Sequence, residues 1–265
     1  MFKRILAATA LLATCSAYAS ISVGSVAFNY SQSFDSLATT GSANAWANDS
    51  TLAGWSLFTS TGATPAVYTA ENGASNAGAF RSFGVTGSSE RALGATASGG
   101  AYFGSPANGA VAGYLAVSFT NNTGSALNGF TLGFDGEQWR NGGNATAQSM
   151  VMQYGFGASF ASVGTWTAPG GSFDWTSPVA TATAAAVVGN TAGLVAGLGG
   201  AVTTTWASND TLWVRWIDRN DAGNDHGLAI DNVTLSVSAV PEPGSYALML
   251  AGLAAIGFVA RRRKA

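Results

Sequence analysis

Cysteine is nearly absent from this 265-residue chain, with Cys15 the only one. If the first nineteen residues are cleaved, no disulfide and no thiol chemistry remain. Histidine is equally scarce. His226 stands alone, without the second His or Cys of an ordinary zinc site. A Ser-His-Asp triad would have to use it, yet no Gly-x-Ser-x-Gly elbow is present. Charge is thin, at 9% of residues. Between Ser20 and Ala239 lysine is missing, and the bases are Arg81, Arg91, Arg140, Arg215 and Arg219. Those five face twelve Asp and Glu, a net charge near −7 (5 minus 12). Nucleic acid is excluded as a partner, because binding it needs Lys and Arg to displace phosphate counterions. A stretch of about 220 residues buries a sizeable core without disulfides.

What is present is a β pattern. Leu115, Val117 and Phe119 share one face of an alternating run. Phe130, Leu132 and Phe134 repeat the spacing, as do Met150, Met152 and Tyr154, and Val233, Leu235 and Val237. Thr211 to Ile217 carries bulk on both faces, as in a strand between two layers. Period-2 alternation of this kind predicts half-buried strands. Turn chemistry separates the runs at Asn121-Asn122-Thr123-Gly124, Asn141-Gly142-Gly143 and Pro169-Gly170-Gly171. The expected fold is all-β: a two-sheet β-sandwich, jelly-roll-like, over residues 20–239. Gly41 to Asp49 reads as a loop leading to Trp55. Ala180 to Ala201 carries little pattern; its Ala run suits a helical turn or two, but its Gly and Thr residues argue against a long helix.

The two ends read as addresses. Lys3 and Arg4, an apolar run from Ile5 to Ala13, and Ala17-Tyr18-Ala19 have the layout of a signal peptide over 1–19, with Ser20 as the first mature residue. Thr14 before Cys15, where a lipoprotein box has Gly or Ala, favours ordinary cleavage over lipidation. Residues 240–265 begin with Pro241-Glu242-Pro243, continue as an apolar helix from Ser245 to Ala260, and end in Arg261, Arg262, Arg263 and Lys264. The basic cluster favours the cytoplasmic side of an inner-membrane transmembrane helix. This three-part tail resembles the PEP-CTERM sorting signal of Gram-negative bacteria. The resemblance implies an exosortase-type enzyme as partner, a transient inner-membrane intermediate, and delivery to the cell surface or extracellular matrix.

Two internal blocks gather the scarce polar chemistry. Asp135-Gly136-Glu137-Gln138-Trp139-Arg140 follows one alternating strand. Trp139 could stack on a sugar while Glu137, Gln138 and Arg140 bind hydroxyls, or the group could be a structural network under a core tryptophan. The second block runs from Asp218 to Asp231. Asp218, Asn220, Asp221, Asn224 and Asp225 are hard oxygen donors around Gly223, the kind of loop calcium takes. The match to an EF-hand loop is partial, since Ala229 stands where the bidentate Glu belongs, and an Asx-rich turn satisfying its own backbone is the alternative. The lone His226 reads as a hydrogen-bonded loop anchor. Buried charge needs partners, so the blocks are expected to converge: Glu137 or Arg140 against the segment from Asp218 to Asp231, with Asp225, His226 and Asp231 in the group and Arg215 or Arg140 as the cation.

The pairing of Ser33-Phe34-Asp35-Ser36-Leu37 with Ile230-Asp231-Asn232-Val233, together with Gly136 to Arg140 and Leu212 to Trp216, resembles a lectin-like jelly-roll module of secreted bacterial proteins. That resemblance spans about Phe34 to Val237 and names no ligand. The functional expectation is an exported, non-catalytic protein of the surface or matrix. The alternative is a module binding glycan or exopolysaccharide; a glycoside hydrolase, for which no Glu-x-Asp-x-x-Glu strand is present, ranks below both.

Overall fold

Each alternating run becomes a strand in the computed structural model, which describes residues 20–239, 249, 251–253 and 256. The signal peptide with Ala17 and Ala19, and the tail residues Pro241, Glu242, Pro243 and Arg261 to Lys264, lie outside the described residues. In chain order the first strands are β1 (Ile21–Val23), β2 (Asn29–Gln32), β3 (Asn44–Ala45), β4 (Trp55–Thr59) and β5 (Val67–Glu71). Then come β6 (Ala79–Phe83), β7 (Ala92–Thr96), β8 (Val111–Asn121), β9 (Leu127–Asn141) and β10 (Ser149–Phe156). The last are β11 (Trp175–Thr176), β12 (Ala185–Ala186), β13 (Leu194–Trp206), β14 (Thr211–Arg219) and β15 (Gly227–Ala239). Among the described residues no helix is long and apolar enough to cross a membrane.

The strands form two sheets, one of which curls as a half-barrel. The six-stranded sheet has the order β1-β8-β14-β10-β11, with β4 also paired to β8. The nine-stranded sheet runs β12-β9-β15-β7-β6-β5-β3, with β13 added to β9 and β2 to β15. The first and last parts of the domain therefore meet: Val233 lies opposite Gln32 and Leu235 opposite Tyr30.

The inward faces of both sheets make one core. Leu115, Val117, Met152, Val214 and Trp216 come from the smaller sheet, and Phe130, Leu132, Phe134, Ile230 and Leu235 from the larger. Trp216 marks its centre. Its ring stacks on Trp55 at 5.8 Å and meets the edge of Phe134 at 5.4 Å, a geometry the ring quadrupoles favour. The expected double-faced strand is β14. While Val214 and Trp216 face this core, Trp213 faces outward into a second cluster with Phe58, Ala116 and Val163.

The low-pattern stretch departs from the helical turns its Ala run suited. It forms β12, a turn, and the long β13, paired antiparallel to β9. Small side chains let the backbones approach: Gly199 has φ +106, and a Cβ there would lie 2.0 Å from the Leu132 carbonyl oxygen.

Candidate functional site

Strand alternation sends Phe134 into the core and therefore turns Asp135, Glu137 and Trp139 to the outer face of the larger sheet. Across the ladder, Glu137 lies opposite Ala229, Asp135 opposite Asp231, and Arg140 opposite Gly227. The two polar blocks are thus neighbours on adjacent strands. A register shift between Asp231 and Thr234, with Asn232 at φ +50, lets Asp231 face outward while Ile230 and Val233 both face the core. On the far side of β15, β7 brings up Glu90, two residues before the strand begins. Glu90, Glu137 and Asp231 each offer an oxygen within 4.8 Å of the others. Glu137 is 2% exposed and Asp231 4%.

This is an electrostatically costly arrangement. Burial pushes the Glu137 carboxyl up to about 7; the Trp139 indole N–H opposes the rise, and the charges of Glu90 and Asp135 add to it. Burial likewise pushes Asp231 up to about 8, against the pull of the Asn232 backbone N–H and with Glu137, Glu90 and Asp35 repelling. Among the described residues none of the five arginines donates a hydrogen bond to these carboxylates. Arg81 pairs with Glu71 at 3.1 Å. Arg91 turns its guanidinium to Ser82 and the Glu71 carbonyl. Arg140 donates to the carbonyls of Gly73 (3.0 Å) and Ala74 (2.9 Å).

The segment between β12 and β13 covers this face. Val187 N–H donates to the Trp139 carbonyl, Gly189 lies against the Trp139 indole, and Asn190 donates to Glu137 Oε1 at 3.3 Å. Trp139 Nε1 donates to Glu137 Oε2 at 2.8 Å and its ring stacks on Phe83.

Gln138 points the opposite way and meets the second block. Its Nε2 lies 3.2 Å from His226 Nδ1, and it clasps Val179 through both amide atoms. Ser177 Oγ accepts the Gln148 N–H and lies 2.9 Å from His226 Nδ1. His226 Nε2 faces the Asn144 carbonyl at 3.2 Å, which makes Nε2 the protonated nitrogen and Nδ1 the acceptor. Burial holds the imidazole below its ordinary pKa, consistent with a neutral ring. The third member of this set is a carbonyl, where a triad has a carboxylate.

The loop expected to offer calcium ligands is held by amides. Asn144 donates to the carbonyls of Ala222 and Asn224, Gln148 to that of Asn224, and Asn220 to that of Pro106. Asp225 Oδ1 accepts the Asp221 N–H at 2.7 Å, while Asn224 is exposed. Burial raises Asp218 well above the ordinary range, with Asp225 and Asp221 repelling, and raises Asp225 to about 7. Asp218 Oδ2 is buried and accepts no hydrogen bond.

Arg215 is not brought to either group. It sits on β14 in the smaller sheet, binds Gln153 Oε1, and packs on the rings of Tyr114 (4.5 Å) and Trp166 (3.8 Å). Burial holds its pKa at about 10. Beside it opens a cleft of about 400 Å3 lined by Phe58, Tyr114, Phe160 and Trp166 with Ser60 and Thr61. Trp166 is the half-exposed exception among eight tryptophans; the other seven are buried.

Glu90, Asn190 and this cleft were not singled out from sequence. No sequence signal marks Glu90, which lies outside both polar blocks and reaches Glu137 only through the register of β7 against β15.

A model of the PEP-CTERM protein-sorting motif matches residues 239–264. No curated protein matches the chain. The matched region begins at Ala239, the last residue of β15. The motif implies an exported, membrane-associated protein that an exosortase sorts and processes.

Proposed function

We propose that the chain is a non-catalytic protein of the cell surface or extracellular matrix, a jelly-roll-like, lectin-like β-sandwich delivered there by its tail. The observation that carries this reading is the sorting motif, whose match begins at Ala239, the last residue of β15. The signal peptide and the transmembrane helix of the tail belong to the same route. The buried state of the polar groups supports the absence of catalysis. A glycosidase acid pair must face a sugar, whereas Glu137 and Asp231 are both buried and Asn190 covers Glu137. The test is replacement of Pro241-Glu242-Pro243 by alanines in a host with the sorting enzyme. The altered protein is expected to stay at the inner membrane; normal arrival at the surface refutes the reading.

The aromatic cleft supports a second reading, a site for glycan or exopolysaccharide. Sugar rings stack on exposed aromatic faces, and Trp166, Phe160 and Tyr114 line one cleft with hydroxyls of Ser60 and Thr61. A glycan array on the exported protein tests it.

A further inference from the structure

The Glu90, Glu137 and Asp231 group has the geometry of a cation site. Glu137 on β9, Asp231 on β15 and Glu90, two residues ahead of β7, converge within 4.8 Å. Two of their oxygens, Glu90 Oε1 and Asp231 Oδ1, are shut off from solvent and accept no hydrogen bond. A buried acceptor without a donor is uncommon, because its desolvation goes uncompensated. Asp231 is more than nine-tenths buried, so water does not supply the missing donor from bulk solvent. Glu90 is half-buried.

We propose that Glu90, Glu137 and Asp231 bind a calcium ion that staples β7, β15 and β9 together on the outer face of the larger sheet. Calcium takes six to eight oxygens at about 2.3–2.6 Å. Oxygens on opposite sides of such an ion lie up to about 5 Å apart, which the observed convergence satisfies without movement of the strands. Three carboxylates offer up to six oxygens and neutralise the ion's charge with one negative charge left over. Glu137 keeps lone pairs for the ion while it accepts from Trp139 and Asn190, and these two bonds fix its orientation. Magnesium fits less well, since it demands near-octahedral geometry and retains its waters, whereas Asp231 and Glu137 sit where little water reaches. Export places the domain where calcium is abundant, so the weak affinity of extracellular calcium modules, in the range of about 0.1–1 mM, suffices.

The test uses the full chain, stripped of metal with a chelator. Calcium chloride in millimolar excess is expected to raise the melting midpoint by several degrees. Terbium, a calcium mimic, is expected to luminesce on tryptophan excitation, because Trp139 touches Glu137. Glu90→Gln and Asp231→Asn are expected to abolish the calcium shift. Without calcium, Asp231→Asn is expected to melt at or above the parent midpoint, since it removes charge repulsion; this shows that the variant folds. Asp225→Asn, in the other acidic loop, is expected to retain the full calcium shift. Trp139→Phe is expected to lose the luminescence. Three results overturn the site: no calcium shift in the parent chain, a shift that survives both Glu90→Gln and Asp231→Asn, or a shift lost in Asp225→Asn alone. The first assigns the cluster to shared protons, and the third moves the ion to the loop of Asp218.

Discussion

Trp139 donates its indole N–H to Glu137 at 2.8 Å, two residues away on the same face of β9. The bond ties the largest side chain of the outer face to its most deeply buried carboxylate, and Phe83 stacks on the indole. Trp139→Phe keeps the stacking and removes the donor. It is expected to lower stability by about 1–3 kcal/mol, the cost of leaving a buried carboxylate oxygen without its hydrogen bond. Urea denaturation of the two proteins at one pH measures it; an unchanged midpoint means that Asn190 alone satisfies Glu137.

Gly73 gives a sharper steric case. It has φ +86, and a Cβ there would lie 1.8 Å from the carbonyl oxygen of Trp139. Arg140 also donates to the Gly73 carbonyl. Gly73→Ala meets both an unfavourable backbone conformation and a clash with backbone, so it is expected to cost more than about 1 kcal/mol. The same denaturation curves report it, with Gly62→Ala as comparison, since Gly62 has φ +78 but open space around it.

The acidic loop sets a pH dependence of definite sign. Burial raises Asp225 to about 7, above its unfolded value, so the fold holds a proton that the unfolded chain has released. The stabilisation from that proton is complete below the unfolded value near 4 and is lost as pH rises through about 7. His226 has the opposite sign: its pKa is lowered, so its contribution is present above the unfolded value near 6.5 and is lost as pH falls. Asp225→Asn retains the acceptor for Asp221 N–H and carries no charge. Its stability relative to the parent is expected to improve between pH 5 and pH 8, by on the order of 2 kcal/mol. Melts of both proteins in chelator across that range check it; parallel curves exclude a raised Asp225.

Much of this architecture was legible because the two sheets are amphipathic. Leu115, Val117 and Phe119, or Phe130, Leu132 and Phe134, announce their faces through alternation alone, and the bulk on both sides of Trp213-Val214 marks a strand covered twice. The two polar blocks were expected to converge because buried charge needs an opposite partner; β9 and β15 do bring them together, but among the described residues no arginine donates to Glu137 or Asp231. The span from Ala180 to Ala201 was illegible because side chains do not place it. Strand β13 is largely exposed and is held by backbone pairing to β9, which Ala, Gly and Thr allow without encoding. Glu90 was illegible because its approach to Glu137 depends on the register of β7 against β15, a relation between segments more than a hundred residues apart. The arginines were misjudged as partners for the acids. Arg140 went to two carbonyls and Arg215 to aromatic rings, because a guanidinium's planar face packs on rings and its five donors suit backbone oxygens as well as carboxylates.

The packing of Arg215 decides how the aromatic cleft should behave. Its guanidinium lies 3.8 Å from the Trp166 ring and 4.5 Å from the Tyr114 ring, while Gln153 Oε1 accepts from its Nε at 2.9 Å and from Nη2 at 2.5 Å. Cation–π contact of this sort is worth about 0.5–2 kcal/mol and, here, fixes the indole from one side. Trp166 also lines the cleft, where Phe160 and Tyr114 complete an aromatic wall. A glycan bound there would stack on Trp166 and gain little from charge, so its affinity would vary weakly with salt. Trp166→Ala is therefore expected to abolish binding to any glycan that the array identifies, while Arg215→Lys, which keeps charge but loses the planar stack and the bidentate hold on Gln153, is expected to weaken it about tenfold through looser positioning of the indole. Tryptophan fluorescence titration with the array hit measures both. Equal affinity in the parent and in Trp166→Ala removes the cleft as the glycan site. A stronger loss in Arg215→Lys than in Trp166→Ala makes the arginine, and not the aromatic wall, the group that contacts the ligand.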